Sequence, residues 1–212
     1  MLLPKSVDIG PRGLRPSGRP EVIETGGTDI DPDRVIEPEQ AADHQAVRRV
    51  VAAAFANRPE VPDLVELIRA SPQYEPGLAL VARRGRDVVG HVMISHAELV
   101  ADDGTRRDVL TLSPLSVRPD VQGQGIGSAL VVEVLRRAPM TGAGLVTLEG
   151  SPRYYPRFGF VDCRTVGVTI DLPDWASRDA GQAYLLPAYD PTIRGRLAYP
   201  PAFAAVTDSP AP

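Results

Sequence analysis

The sequence predicts an α/β fold: a mixed, mostly antiparallel sheet with one central parallel βαβ unit and helices flanking it. Three observations carry that expectation. Residues 77–83 and 87–100 are two apolar, strand-like stretches joined by Arg84-Gly85-Arg86, a hairpin turn with a glycine free to take positive φ. Asp102-Asp103-Gly104 is a second turn, leading into the apolar run Leu110, Leu112, Leu115, Val117. From Leu110 to Glu149 the pattern is strand, helix, strand, a length that suits a right-handed crossover between parallel strands.

Residues 1–32 are dense in Pro, Gly and Arg and lack apolar periodicity, so a disordered tail is expected there. Val35-Ile36 starts a short first strand. Ala46, Val47, Val50, Val51, Ala54 and Phe55 recur at helical spacing within 41–55, and Leu64, Leu67 and Ile68 do so within 63–70. In the second long strand His91, Met93 and Ser95 share one face, and Val92, Ile94 and His96 the other. Pro119 and Asp120 end the strand that begins at Leu110. Ser128 opens a helix through Leu130, Val131, Val134 and Leu135 that closes on Arg136 and Arg137, basic residues suited to the negative end of the helix dipole. Residues 145–149 form the next strand and 167–172 a last one. After Pro173 the chain is Pro-rich and irregular, and Ala183-Tyr-Leu-Leu186 pairs or packs on the domain. The division is a tail at 1–32, a domain at 33–172, an extension at 173–204 packed on it, and a tail at 205–212.

With 212 residues and 43% hydrophobic content the chain can bury one ordinary core. The net charge of −4 argues against broad binding to nucleic acid or anionic membranes. One cysteine, Cys163, excludes an internal disulfide and fits a cytoplasmic protein. No apolar run approaches a membrane span, and the opening MLLPKSVDIG lacks the continuous apolar core of a signal peptide. His44, His91, His96 and Cys163 have no metal-ligand spacing, so no metal is expected, and G-x-S-x-G is absent.

The stretch from Gln122 to Ser128 carries the chemistry. A glycine loop between a strand and a helix is suited to phosphate, because the first amides of a helix have no internal partner and its dipole favours an anion. The dinucleotide pattern G-x-G-x-x-G fails at Ser128, and no Gly-Lys-Ser/Thr follows. What remains is Gln-x-x-Gly-x-Gly at Gln122, Gly125 and Gly127. About thirty residues on stands Gly150-Ser-Pro-Arg-Tyr-Tyr-Pro-Arg-Phe-Gly-Phe160, with Tyr155 four residues before a Gly-Phe pair.

Together these two motifs resemble the GNAT superfamily of acyl-CoA-dependent N-acyltransferases. Over residues 33–204 the chain also resembles a bacterial subgroup of predicted small acetyltransferases, at Ser113-Pro-Leu-Ser-Val117, at the Tyr154-Tyr155 pair and at Tyr199-Pro-Pro-Ala-Phe203. The resemblance implies a GNAT-type sheet with its βαβ unit on acetyl-CoA, and N-acetyl transfer to a primary amine by direct attack in a ternary complex. It assigns the pantetheine arm to Leu115, Ser116 and Val117, and the pyrophosphate to Gln122, Gly123, Gln124, Gly125, Ile126, Gly127 and Ser128. Pro114, with no N–H, fits a break in the strand's pairing.

By the same resemblance Tyr155 is the general acid for the departing thiolate. Donating a hydrogen bond and stopping there is the other role open to it. No base is evident on 110–117; Glu149, at the end of the next strand, is the first candidate, and Ser113, Ser116 and His91 are weaker ones. Asn57, Glu60, Asp63 and Glu66 fall in the region that covers the acceptor site in GNAT folds. The acceptor is a small-molecule or peptide amine, with the protein a monomer or homodimer. A different class of function on the same fold is a non-catalytic acyl-CoA-binding or protein-interaction module.

Overall fold

A computed structural model describes residues 34–174 and 176–204. The tails expected at 1–32 and 205–212 lie outside the described residues. Four antiparallel strands come first in sheet order: β1 (Arg34–Pro38), β2 (Tyr74–Arg84), β3 (Asp87–Val100) and β4 (Arg106–Val117). Helices α1 (His44–Ala54) and α2 (Val61–Arg69) lie between β1 and β2. After β4 comes α3 (Ile126–Arg137), then β5 (Leu145–Glu149), which runs parallel to β4. The crossover read from the sequence is therefore present.

Several element ends differ from the expected ones for local reasons. β2 begins at Tyr74 because the stretch holding Pro76 and Gly77 is an irregularity in its pairing with β3. α2 begins at Val61, with Pro62 in a first turn where a missing N–H costs nothing. β4 starts at Arg106, earlier than its apolar run, because Arg106, Arg107 and Asp108 form an exposed end of the strand. The strand expected at 167–172 shortens to β7 (Val168–Thr169), after the two-residue β6 (Val161–Asp162).

The chain after Pro173 contributes two strands. β8 (Gly181–Leu185) lies between β5 and β6 and is antiparallel to both. β9 (Gly195–Ala198) pairs with Glu98, Leu99 and Val100 of β3, beyond the point where β2 begins with Tyr74 opposite Ser95.

Strand alternation gives the sheet two faces. Val92, Ile94, Leu110, Leu112, Val146 and Leu148 pack with Leu130, Val131 and Val134 of α3. On the other face Met93 packs with Val47, Val51, Leu64 and Ile68 of α1 and α2. Leu64 and Ile68 are fully buried, each stabilising by about 1.5–3 kcal/mol relative to an exposed side chain. Ala97, Leu99, Val109 and Leu145 continue that face under Val168 and Leu197, and Tyr199 packs against both of its clusters.

Candidate active site

β4 and β5 pair only at Leu110–Val146 and Thr111–Thr147. β4 then runs on to Val117 and β5 to Glu149 with no further pairing between them. The edge of β4 over 112–117 thus faces an opening with backbone groups available to an extended ligand. The break expected at Pro114 is present: Val92 pairs with Leu115 and Ile94 with Leu112, leaving Ser113 and Pro114 together against Met93. Leu115 and Val117 join the α3 face, while Ser116 is buried on the other, its hydroxyl donating to His91 O at 3.4 Å.

At the end of this opening stands the glycine loop. Gln122 Nε2 donates to Val117 O at 3.0 Å, tying the loop to the strand. Gly123 and Gly125 take φ of 77° and 78°, a region that favours glycine. Within α3 the Ala129 N–H bonds to Gly125 O, so the amides of Ile126, Gly127 and Ser128 precede the helix's own bonding pattern and are free for an anion. A Cβ on Gly90 would stand 3.0 Å from Ile126 and Leu130. That glycine lets the first turn of α3 settle onto β3. Arg84 donates to Gln124 at 2.9 Å, and Arg34 Nη1 lies 3.8 Å from a Cβ placed on Gly125. Neither arginine is evident from the motif; strand pairing of β1 with β2 brings them to the loop.

The two adjacent tyrosines are placed differently. Tyr154 turns its hydroxyl to the loop: it lies 3.0 Å from a Cβ built on Gly127 and interacts with the Ser128 hydroxyl. Arg157 stacks on its ring at 4.5 Å. Tyr155 is buried beside Leu148 and Phe160, its ring edge-on to Phe160 at 5.6 Å. A Cβ on Gly150 would fall 2.3 Å from its Cε2, so only glycine admits the ring at the end of β5. Burial, with Tyr154 beside it, raises the Tyr155 phenol above its ordinary range.

Glu149 projects from the end of β5 on the face away from α3. Its Oε1 accepts a hydrogen bond from Tyr199 at 2.5 Å. Burial raises its pKa, and the bond from Tyr199 opposes that shift. Among the described residues Glu149 Oε2, Ser113 Oγ and Ser95 Oγ are buried without a hydrogen-bond partner. Continuing the parallel register two residues past Thr111–Thr147 sets Ser113 across the opening from Glu149.

Several of the other sequence candidates face charged partners within the fold. His91 is fully buried, and burial lowers its pKa. Its Nε2 stands 3.2 Å from Glu39 Oε2 without hydrogen-bond alignment. Glu39 also receives Arg69 at 2.8 and 2.7 Å and Tyr74 at 2.9 Å. Burial alone would raise the Glu39 pKa, but the paired guanidinium of Arg69 holds it well below the carboxylate range. Glu60, Asp63 and Glu66 are engaged by Arg58, Arg48 and Arg69 respectively, and Asn57 is exposed. Burial, then Asp162, pushes the Cys163 thiol up to about 11, which suppresses its thiolate. No group of three or more His, Cys, Asp or Glu able to hold a metal occurs among the described residues, and no helix there is long and apolar enough to cross a membrane.

Residues 35–161 match the family model for an acetyltransferase (GNAT) domain. The uncharacterized N-acetyltransferase YjhQ of Escherichia coli is 32% identical over 123 residues, covering 58% of this chain and 66% of that protein. The mycothiol acetyltransferase of Streptomyces coelicolor is 32% identical over 136 residues, covering 58% of this chain and 41% of that protein. Just under two thirds of the first relative and well under half of the second are thus spanned. Among solved structures, the GNAT N-acetyltransferase YhbS of Escherichia coli in complex with CoA has a TM-score of 0.72 at 24% identity, covering 84% of this chain and 96% of that one. A GNAT acetyltransferase of Brucella melitensis in complex with acetyl-CoA has a TM-score of 0.64 at 28% identity, covering 80% and 97%. With its splayed strands and glycine-capped helix matched by a family model over more than half its length, the chain belongs to the GNAT acetyltransferases.

Proposed function

We propose that this protein transfers an acetyl group from acetyl-CoA to a primary amine, by direct attack within a ternary complex. The observation that carries the reading is the opening between β4 and β5, with donor amides at one end and Tyr155 and Glu149 at the other. The residues fit the co-substrate. The amides of Ile126, Gly127 and Ser128, with Gly123, Gln124 and Gly125 leading into them and Gln122 anchoring the loop, suit a pyrophosphate. The free edge at Leu115, Ser116 and Val117 suits the amide-bearing pantetheine arm. Acetyl-CoA supplies the thioester when bound, and a complex with acetyl-CoA is known for the Brucella melitensis relative.

The protein's own groups then divide the work. Tyr155 packs with the α3-side core and Glu149 bonds to Tyr199 on the other face, so the end of β5 is approached from two sides. Glu149, its pKa raised by burial, accepts the proton of the arriving amine. Tyr155 donates to the sulfur that leaves. A buried phenol is a weak acid, but the same burial raises the thiol's own pKa, so the mismatch between donor and acceptor is smaller than the phenol's shift alone. Cys163, kept as a thiol, offers no covalent detour.

The test is release of CoA when the protein meets acetyl-CoA and a pooled library of amines. Release that depends on the amine, with an acetylated product found by mass, is the expected result. Acetyl-CoA binding with no transfer to any amine would instead make this a binding module.

A further inference from the structure

We propose that Tyr199, carried in from the C-terminal segment, is a positioning residue that holds Glu149 with one carboxylate oxygen engaged and the other free for the acceptor amine. The inference rests on the reading of Glu149 as the base and adds a residue outside the stretch matched by the family model, which ends at 161.

A glutamate at the last position of a strand has three rotatable bonds and no fixed direction. Here Tyr199 Oη donates to Oε1 at 2.5 Å, while Oε2 is buried and has no partner among the described residues. A carboxylate held in that way has its direction fixed and leaves Oε2 as the oxygen with no partner. Tyr199 is itself held firmly. Its ring stacks on Phe203 with centroids 4.9 Å apart and planes 25° apart. It also packs against both clusters on that face of the sheet. β9 fixes where the segment starts, since Ala198 pairs with Glu98 of β3 immediately before Tyr199. The phenol's pKa lies well above its ordinary value, by burial and then by the charge of Glu149, so it remains a donor through the working pH range.

Among the described residues the other titratable groups facing the pair are Asp171 and Cys163. Asp171, after β7, adds to the upward shift of Glu149, and it is itself paired with Arg196 of β9. Cys163 faces Tyr199 as a thiol. Neither donates a hydrogen bond to Glu149 among the described residues. The Tyr199 hydroxyl favours the ionised carboxylate, so removing it must move the titration of Glu149 upward.

The experiment compares the full chain with Tyr199→Phe and Glu149→Gln. Tyr199→Phe keeps the ring and its stack on Phe203, so a fold close to the parent's is expected, checked by melting. In pH-difference infrared spectra of the protein without acceptor, the protonated-carboxyl band absent from Glu149→Gln identifies Glu149. In kinetics, with an amine found in the library, the acid limb of kcat/KM reports the same group. Both are expected to rise by about 1–2 pH units in Tyr199→Phe, the size a hydrogen bond to a charged group supplies. The KM for acetyl-CoA should stay unchanged. If band and limb stay in place in Tyr199→Phe while Glu149→Gln abolishes the limb, Tyr199 fills space only: the inference is overturned and Glu149 remains the base. If Glu149→Gln keeps both the limb and the rate, Glu149 is not the base and Tyr199 positions nothing catalytic.

Discussion

Replacing Gly150 by alanine tests whether the position of the Tyr155 ring matters. The added methyl would stand 2.3 Å from Cε2 and 2.7 Å from Cδ2 of Tyr155, and 2.9 Å from Leu148 Cδ1. Ordinary carbon contacts begin near 3.4 Å, so the ring must retreat by about 1 Å. Leu148 cannot give way easily, being almost wholly buried in the α3-side core. Overpacking of this kind costs about 1–3 kcal/mol. For a chain of this size that corresponds to a fall in Tm of roughly 2–12 °C. The catalytic effect should be larger than the stability effect, because a displacement of about 1 Å in a reacting group lowers the rate by about 10²-fold. The assay is kcat with a true amine acceptor at a temperature well below the lowered Tm, beside the KM for acetyl-CoA, which should change little. A Gly150→Ala protein that melts lower but turns over at the parent's rate would refute the assignment of Tyr155 to the chemistry.

Four further outcomes are expected. Tyr155→Phe should lower kcat by roughly 10²–10⁴-fold with little change in the KM for acetyl-CoA, as for loss of a general acid. Tyr154→Phe should behave oppositely: its hydroxyl meets Ser128 at the loop, so steady-state kinetics should show the KM for acetyl-CoA up by roughly 2–10-fold and kcat nearly unchanged. Gly125→Val forces a branched residue to φ near 78° and should abolish cofactor binding; in the parent, acetyl-CoA at about 100 times its Kd should stabilise by about 2.7 kcal/mol, an effect the variant lacks in melting curves. Glu39→Gln should lose up to about 3–5 kcal/mol at neutral pH by denaturant unfolding, because it takes the buried counter-charge from Arg69 and leaves that side chain only the more exposed Glu66. The Glu39 pKa is depressed on folding, so its stabilisation is present above the unfolded value near 4.3 and is lost as pH falls below it. The variant's stability should accordingly be flatter on the acid side than the parent's.

The legible parts of the fold were those in which period and turn chemistry agree. Glycines at 85 and 104 marked both hairpins, and apolar spacing located α1, α2 and α3. The parallel βαβ unit followed from a strand, helix, strand pattern of suitable length, and Pro114 marked the interruption of β4. β8 was legible only as a segment at 183–186 that pairs or packs on the domain, and β9 was hidden because it is short, lies in a Pro-rich stretch and pairs with residues about a hundred positions earlier. Arg34 and Arg84 escaped notice at the loop for the same reason, since cross-strand pairing and not local pattern carries them there. In the site, Glu149 was legible as a carboxylate at a strand end. Its partner Tyr199 was visible only as part of a motif without a stated role, because no local spacing links positions fifty residues apart. The carboxylates of the α1–α2 region looked available because sequence does not report which arginine each one meets.

The position of β8 has a consequence for how the chain must be made. During synthesis β5 emerges with one edge on β4 over two residues and the other edge bare, and it stays bare until residues 181–185 have left the ribosome. Over that interval Leu145, Val146 and Leu148 form a short apolar template for any other strand in reach. A nascent chain stopped near residue 172 would carry the glycine loop and both tyrosines, yet would present that open edge permanently. Truncated products of this protein should therefore aggregate through β5, while the chain that reaches Leu185 closes its own edge.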